Sequence, residues 1–280
     1  MNNTIRFSHG RSVFRCPICG EPLFCINNSL LCPNNHSFDI AKHGYVNLAG
    51  GTKGSTEHYD KESFKKRQQI LEAGYYSHIC DELVRIVGEL PHVVTVLDAG
   101  CGEGFYTVAV KCALEAVGKT CRACGVDISR EALIACAKRQ AEVTLAVASI
   151  NHLPVPVSSC DLLLNIFAPD DATEFARVLR PGGTLLCVVP LEDHLMGLKA
   201  AVYDHPYPNP SPQYAPEGFA PPERIDVRDT IRLRSNEDIH NLFLMTPYYY
   251  KTGRKDQQKL ESLTTLDTEI SFGIFLYKRL

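Results

Sequence analysis

The sequence predicts an α/β protein, a parallel sheet with helices on both faces, preceded by a small metal-binding unit. Three observations carry that expectation. Between about residues 93 and 189, short apolar runs alternate with segments of helical period, the order that builds a parallel sheet. One of those runs, Val94–Leu97, passes directly into Asp98-Ala99-Gly100-Cys101-Gly102-Glu103-Gly104, a strand followed by a glycine turn. Four of the twelve cysteines fall before residue 33, two of them as a Cys-x-x-Cys pair.

The composition fits this class. The chain has 280 residues, of which 45% are hydrophobic and 22% charged, enough apolar material for a sizeable core and too much for a disordered chain. No apolar run approaches the ~18–20 residues needed to cross a bilayer. The first fourteen residues are mostly polar and lack the apolar centre of a signal peptide, so a cytoplasmic protein is expected. A net charge of −3 argues against nonspecific coating of nucleic acid and leaves room for a local basic patch.

Composition divides the chain into an N-terminal unit (1–50), a polar linker (51–60) and an α/β domain (61–280). From Asp60 to Ile86 the apolar residues recur at helical spacing, and Gly74 splits the segment into two helices. A strand over 93–97, the glycine turn and a helix to about Val117 follow. Further strands are expected at 123–126, 144–147, 162–166 and 184–189, with helices at 131–140 and 173–179 between them. Residues 205–222, rich in Pro and Tyr, read as a long irregular loop, and 268–277 as a final strand.

The N-terminal cysteines have ligand spacing. Cys16-Pro-Ile-Cys19 is followed after twelve residues by Cys32-Pro-Asn-Asn-His36, and paired ligands on two tight turns can share one tetrahedral ion. A closed Cys₃His set of Cys16, Cys19, Cys32 and His36 points to structural Zn²⁺ with no open position for catalysis. Cys25 lies between the pairs and lacks a close partner. Cys121-Arg-Ala-Cys124 has the same spelling but begins a strand, where Cys124 is expected as a small buried apolar residue.

The glycine turn departs from the dinucleotide fingerprint: its spacing is GxGxG, and Asp98 precedes it. An acid there disfavours pyrophosphate and suits a cationic sulfonium amino acid, which the backbone of Gly100 and Gly102 could approach. The next strand ends at Asp127, placed for ribose hydroxyls. Together these features resemble the class I S-adenosylmethionine-dependent methyltransferases, with their Rossmann-like sheet and an antiparallel last strand inserted in it. Ser149 stands where that family usually has an acid near the adenine.

A metal knuckle ahead of such a domain narrows the field. The segment from Phe14 through Cys16, Cys19, Cys32 and His36 to Leu48 resembles the 23S ribosomal RNA (guanine-N1)-methyltransferases, as do Leu71-Glu-Ala-Gly-Tyr-Tyr76, Cys101-Gly-Glu-Gly-Phe-Tyr-Thr107, His194-Leu-Met-Gly-Leu-Lys199 and Met245-Thr-Pro247. The resemblance implies methyl transfer from S-adenosylmethionine to N1 of a guanine in a 23S ribosomal RNA hairpin, by a homodimer whose zinc unit helps recognise the RNA. It also implies that Cys16, Cys19, Cys32 and His36 bind zinc, and that Tyr76, Tyr106, Thr107 and His194 line the cofactor pocket. A methyltransferase for another RNA or a small molecule, with zinc purely structural, is the alternative; a noncatalytic RNA-binding protein is disfavoured by the intact Asp98, Gly100, Gly102, Gly104 and Asp127.

No Asn/Asp-Pro-Pro-aromatic motif follows the fourth strand; the chain has Asn165-Ile-Phe167-Ala-Pro-Asp170-Asp171 instead, and Asp170 is the nearest candidate base. Phe167 and Tyr248–Tyr250 are candidates to stack an extruded base. Lys61, Lys65, Lys66 and Arg67, then Lys251, Arg254 and Lys255, are the local positive clusters.

Overall fold

The computed structural model describes residues 7, 11–50, 61–212 and 215–280; the linker expected at 51–60 lies outside the described residues. The N-terminal unit is a ribbon of four short antiparallel strands in sequence order, β1 (Arg11–Arg15), β2 (Pro22–Ile26), β3 (Ser29–Leu31) and β4 (Ser37–Asp39). Strand β5 (Tyr45–Asn47) leaves the ribbon and pairs in parallel with a strand of the large sheet. The segment expected as an N-terminal unit (1–50) thus contributes its last strand to the large sheet. Val46 and Leu48 are fully buried, and an edge strand of the α/β sheet buries them better than a polar linker.

Two helices follow, α1 (Lys61–Glu72) and α2 (Ser77–Glu89), separated at Gly74, which takes φ +83°. The alternating core then runs β6 (Thr95–Ala99), α3 (Phe105–Ala116), β7 (Arg122–Asp127), α4 (Arg130–Lys138), β8 (Val143–Val147), β9 (Cys160–Ile166), α5 (Ala172–Val178) and β10 (Leu179–Pro190). Each element falls within a few residues of its expected place. Strand β6 starts later than Val93 because the Val94 and Thr95 amides donate to the Asp161 carboxylate, at 2.9 and 2.7 Å, instead of to a neighbouring strand. After α6 (Met196–Val202) and an irregular stretch come β11 (Glu223–Leu233), α7 (Asn236–Leu244), the single turns α8 (Tyr248–Lys251) and α9 (Arg254–Gln257), and β12 (Leu266–Lys278).

The large sheet has eight strands in the order β11-β12-β10-β9-β6-β7-β8-β5. All neighbours from β10 to β5 are parallel, while β12 is antiparallel to both β10 and β11. Chain order reverses at β6, which has β7 on one side and β9 on the other, so a crevice opens at the carboxyl ends of these strands. The ribbon packs on the same body. Phe14, Leu23 and Leu30, all fully buried, share one apolar cluster with Leu153, Cys160, Phe175 and Val178, and the Arg15 amide donates to the Pro154 carbonyl at 2.8 Å.

Candidate functional site: a metal knuckle and a cofactor crevice

In the ribbon, the turns after β1 and β3 each need one residue in the left-handed region, supplied by Gly20 (φ +78°) and Asn35 (φ +62°). These turns bring the Cys16, Cys19 and Cys32 thiols and the His36 ring together, with all four ligand atoms within 4.8 Å of one another. Cys19 Sγ lies 3.7 Å from Cys32 Sγ, and His36 Nδ1 lies 3.5 and 3.3 Å from the sulfurs of Cys16 and Cys32. A zinc tetrahedron has sulfur–sulfur edges of ~3.7 Å and sulfur–nitrogen edges of ~3.5 Å, from bonds of ~2.3 and ~2.0 Å. The donor set and its spacing fit that ion. The Glu21 backbone N–H, with help from the Asn34, Cys16 and His36 side chains, holds the Cys19 thiol down at about 6, which favours the thiolate that a metal needs. Cys25 stands apart on β2, and Cys124 is a buried core thiol that donates to the Val96 carbonyl at 3.2 Å.

The crevice is built on the glycine turn between β6 and α3. Gly100, Gly102 and Gly104 all have positive φ, at +87°, +53° and +75°. Their surroundings differ. A Cβ on Gly100 would sit 2.5 Å from the Ala168 Cβ, and one on Gly104 would sit 2.2 Å from the Cys136 sulfur, whereas one on Gly102 would meet nothing within 4 Å. Two glycines thus serve internal packing, and the middle one leaves open space over the crevice.

Carboxylates crowd this turn. Asp98, at the end of β6, is 2% exposed and accepts a hydrogen bond from Thr107 Oγ1 at 2.5 Å, while its Oδ1 has no partner. Burial pushes its carboxyl up to about 7, with Asp127 and Glu103 adding repulsion. Asp127, at the end of β7, accepts from the Gly102 amide at 2.9 Å and from the Ser129 amide at 2.8 Å, and burial raises its pKa as well. Glu103 is 1% exposed; Arg67 Nε stands 3.4 Å from its Oε1, yet neither side-chain oxygen has a hydrogen-bond partner. Buried acids with unmatched oxygens are costly unless something cationic faces them. A sulfonium amino acid is such a group, so the residues present fit S-adenosylmethionine.

An aromatic wall closes the other side. Phe272 of β12 stands at its centre, with ring centroids 4.6 Å from Phe167, 5.8 Å from Tyr76 and 4.2 Å from His194. Tyr106 meets Phe167 edge-on at 5.9 Å, and its buried hydroxyl has no partner. His194 Nδ1 accepts from the Ser271 amide at 3.3 Å, and burial drives the imidazole down to about 3, so the ring is neutral. Phe167 sits at φ +55°, a strained conformation for a bulky residue, at the carboxyl end of β9.

The sequence-read residues Tyr76, Asp98, Gly100, Gly102, Tyr106, Thr107, Asp127 and His194 thus gather around one crevice. At two places the structure decides between a functional role and a structural one, an N-cap for Asp170 or Asp171 and core packing for the Tyr248–Tyr250 run. Asp171 is the N-cap of α5, accepting from the Glu174 amide at 3.0 Å, which leaves Asp170 as the exposed acid of that turn. Tyr248 donates to Asn209 Oδ1 at 2.8 Å and Tyr249 packs on Phe243, so of that run only Tyr250 is exposed. The sequence reading assigns no part in this crevice to Glu103, to Phe272 or to Arg67, whose Nε lies 3.4 Å from Glu103 Oε1. A signal for Arg67 existed, since it lies in the apolar stripe of α1 with Phe64, Ile70 and Leu71.

Comparisons with known proteins agree with both halves. Residues 14–50 match the zinc-ribbon family model described as RlmA, N-terminal, and residues 96–183 match a methyltransferase domain. The chain is 34% identical over 230 residues to the 23S rRNA (guanine(748)-N(1))-methyltransferase of Streptomyces fradiae, covering 78% of this chain and 79% of that one. It is 29% identical over 291 residues to YxjB of Bacillus subtilis (strain 168), provisionally named a 23S rRNA (guanine-N(1)-)-methyltransferase, covering 99% of both. Among solved structures, a SAM-dependent methyltransferase from Aquifex aeolicus superposes with a TM-score of 0.47 at 16% identity, over 79% of this chain and 99% of that one. Among the described residues no helix is long and apolar enough to cross a membrane. With a zinc ribbon, a class I S-adenosylmethionine-dependent methyltransferase fold and these relatives along its length, the chain belongs to the 23S rRNA (guanine-N1)-methyltransferase family.

Proposed function

We propose that the protein transfers the methyl group of S-adenosylmethionine to N1 of a guanine in a hairpin of 23S ribosomal RNA. The observation that carries this reading is the seating of a Cys₃His ribbon directly against the turn after β8, beside the crevice, where Arg15 bonds to Pro154. Cys16, Cys19, Cys32 and His36 hold the zinc. Asp98, Gly100 and Gly102 take the methionine end of the cofactor, Asp127 the ribose hydroxyls, and Tyr76, Tyr106, Thr107 and His194 line the pocket. The protein is expected to work in the cytoplasm as a homodimer.

The cofactor supplies an electrophilic methyl on its sulfonium. The chain's task is to hold that methyl and guanine N1 in line and to keep water out, for which a wall of Tyr106, Phe167 and Phe272 is suited. Phe167, half-buried in that wall, is the aromatic on which an extruded base is expected to stack. Guanine N1 must lose a proton. His194 does not take it, because its Nδ1 is occupied and its ring resists protonation. Asp171 is committed to its cap, so Asp170 is the acid to test. The reading is tested by incubating the zinc-loaded protein with methyl-labelled S-adenosylmethionine and 23S ribosomal RNA, then digesting to nucleosides. Label in 1-methylguanosine is expected; label in another nucleoside contradicts the assignment.

A further inference from the structure

Three buried carboxylates around the glycine turn explain how a sulfonium and an ammonium are accommodated, but the methionine end of S-adenosylmethionine also carries a carboxylate. That group would be repelled by Asp98, Glu103 and Asp127 unless a cation stands among them. Arg67 does. It projects from the buried stripe of α1, its side chain 21% exposed, with Nε 3.4 Å from Glu103 Oε1. Its charge reaches Asp98, Asp127, Tyr76 and Tyr106 alike, partly opposing the upward push that burial gives each of them. Helix α1 is held in place from behind, where Lys66 pairs with Glu237 at 3.8 Å and Asn241 donates to Gln69 at 3.2 Å. Arg67 is thereby withdrawn from the basic cluster that the sequence suggested for RNA.

We infer that Arg67 and Glu103 form a clamp for the amino-acid end of S-adenosylmethionine, the guanidinium taking its carboxylate and Glu103 its ammonium. The inference rests on the cofactor reading above and adds to it the residues that distinguish a complete amino acid from a truncated one. A guanidinium offers a planar fork that matches a carboxylate in two hydrogen bonds. Glu103, nearly sealed from water and with both oxygens lacking hydrogen-bond partners, has the capacity an ammonium requires.

Calorimetric titration of the full-length, zinc-loaded protein with S-adenosylmethionine and with its decarboxylated analogue separates the two contacts. The wild type should prefer the complete cofactor. Arg67→Ala should weaken S-adenosylmethionine by about 10–100-fold and the analogue by less than about threefold, the scale of one charge-assisted contact. Arg67→Lys, which keeps the charge and the fold of α1, should restore part of the preference. Glu103→Gln should weaken both ligands about equally, since both carry the ammonium. Equal losses for the two ligands in Arg67→Ala, or unchanged affinities in Glu103→Gln, overturn the clamp. Failure of the wild type to bind S-adenosylmethionine would instead contradict the cofactor reading on which the clamp rests.

Discussion

The metal knuckle and the cofactor crevice solve opposite problems with polar residues. In the knuckle, four ligand atoms converge at the edge lengths of a metal tetrahedron, and the turns that carry them are fixed by Gly20, Asn35 and backbone bonds such as that from the His36 amide to Cys32 Sγ at 3.3 Å. In the crevice, Asp98, Glu103 and Tyr106 keep buried polar atoms unmatched, and Asp98 is held near neutrality by desolvation. One region spends its polar groups on its own order; the other reserves them for a ligand. Losing a group from the first should therefore be felt as instability, and from the second as lost affinity.

The largest expected effect is on the first side. A Cys16→Ser, Cys19→Ser variant should lose its zinc and loosen the ribbon, exposing Phe14, Leu23 and Leu30. At about 1.5–3 kcal/mol for each buried side chain, that is about 4.5–9 kcal/mol of apolar burial. Because these residues share a core with Phe175 and Val178 and because β5 belongs to the large sheet, calorimetric melting should show a lower Tm for the whole protein. An unchanged main transition would mean that the ribbon folds apart from the sheet after all.

Glycine substitutions sharpen the contrast within a single turn. Gly102→Val places its side chain in open space, so the cost to folding is that of a left-handed residue, about 1–2 kcal/mol, while S-adenosylmethionine binding should fall about 100-fold or more. Gly104→Ala drives a methyl into Cys136 and should lower Tm more than Gly102→Val does. The reverse order in paired melting and binding measurements would remove Gly102 from the ligand side. Asp127→Ala should weaken the cofactor by about 1.5–3 kcal/mol in calorimetry, the scale of a charge-assisted hydrogen bond, with unchanged affinity counting against the ribose assignment.

A pH dependence should accompany these losses. Asp98 titrates at about 7 in the folded protein and near ~4 when unfolded, so the folded form binds more protons between these values. Its contribution to stability is accordingly lost as pH rises from ~4 to ~7 and changes little above. Cofactor affinity should move the other way, strengthening as Asp98 ionises among Arg67, Glu103, Asp127 and Thr107. Asp98→Asn should flatten both trends in denaturation and binding series between pH 5 and 8; parallel slopes in wild type and variant would show that another group titrates.

Much of this was legible in the sequence, for identifiable reasons. The runs that became β6, β7, β8, β9 and β12 are buried on both faces, which writes continuous apolar stretches, and the ligand spacing of Cys16, Cys19, Cys32 and His36 is strict. Strand β11 is not legible because it is an edge strand whose Arg224, Asp226, Arg228 and Asp229 read as a polar tail, although Arg224 bonds Asp226 at 2.7 Å along its surface. The ribbon strands, three to five residues long, were too short for any periodicity to register. Arg67 reads as part of a basic cluster because Lys61, Lys65 and Lys66 surround it in sequence, whereas its helical phase turns it toward Glu103.

The central claim is that knuckle and crevice together make one RNA-modifying enzyme. Reverse transcription across 23S ribosomal RNA treated with the protein and S-adenosylmethionine tests it most directly, because a methyl on N1 blocks pairing and halts the polymerase. A single new stop at a guanine, absent without the cofactor and absent with the Cys16→Ser, Cys19→Ser variant, is the predicted result. No cofactor-dependent stop, or a stop of full strength from the zinc-free variant, would contradict it.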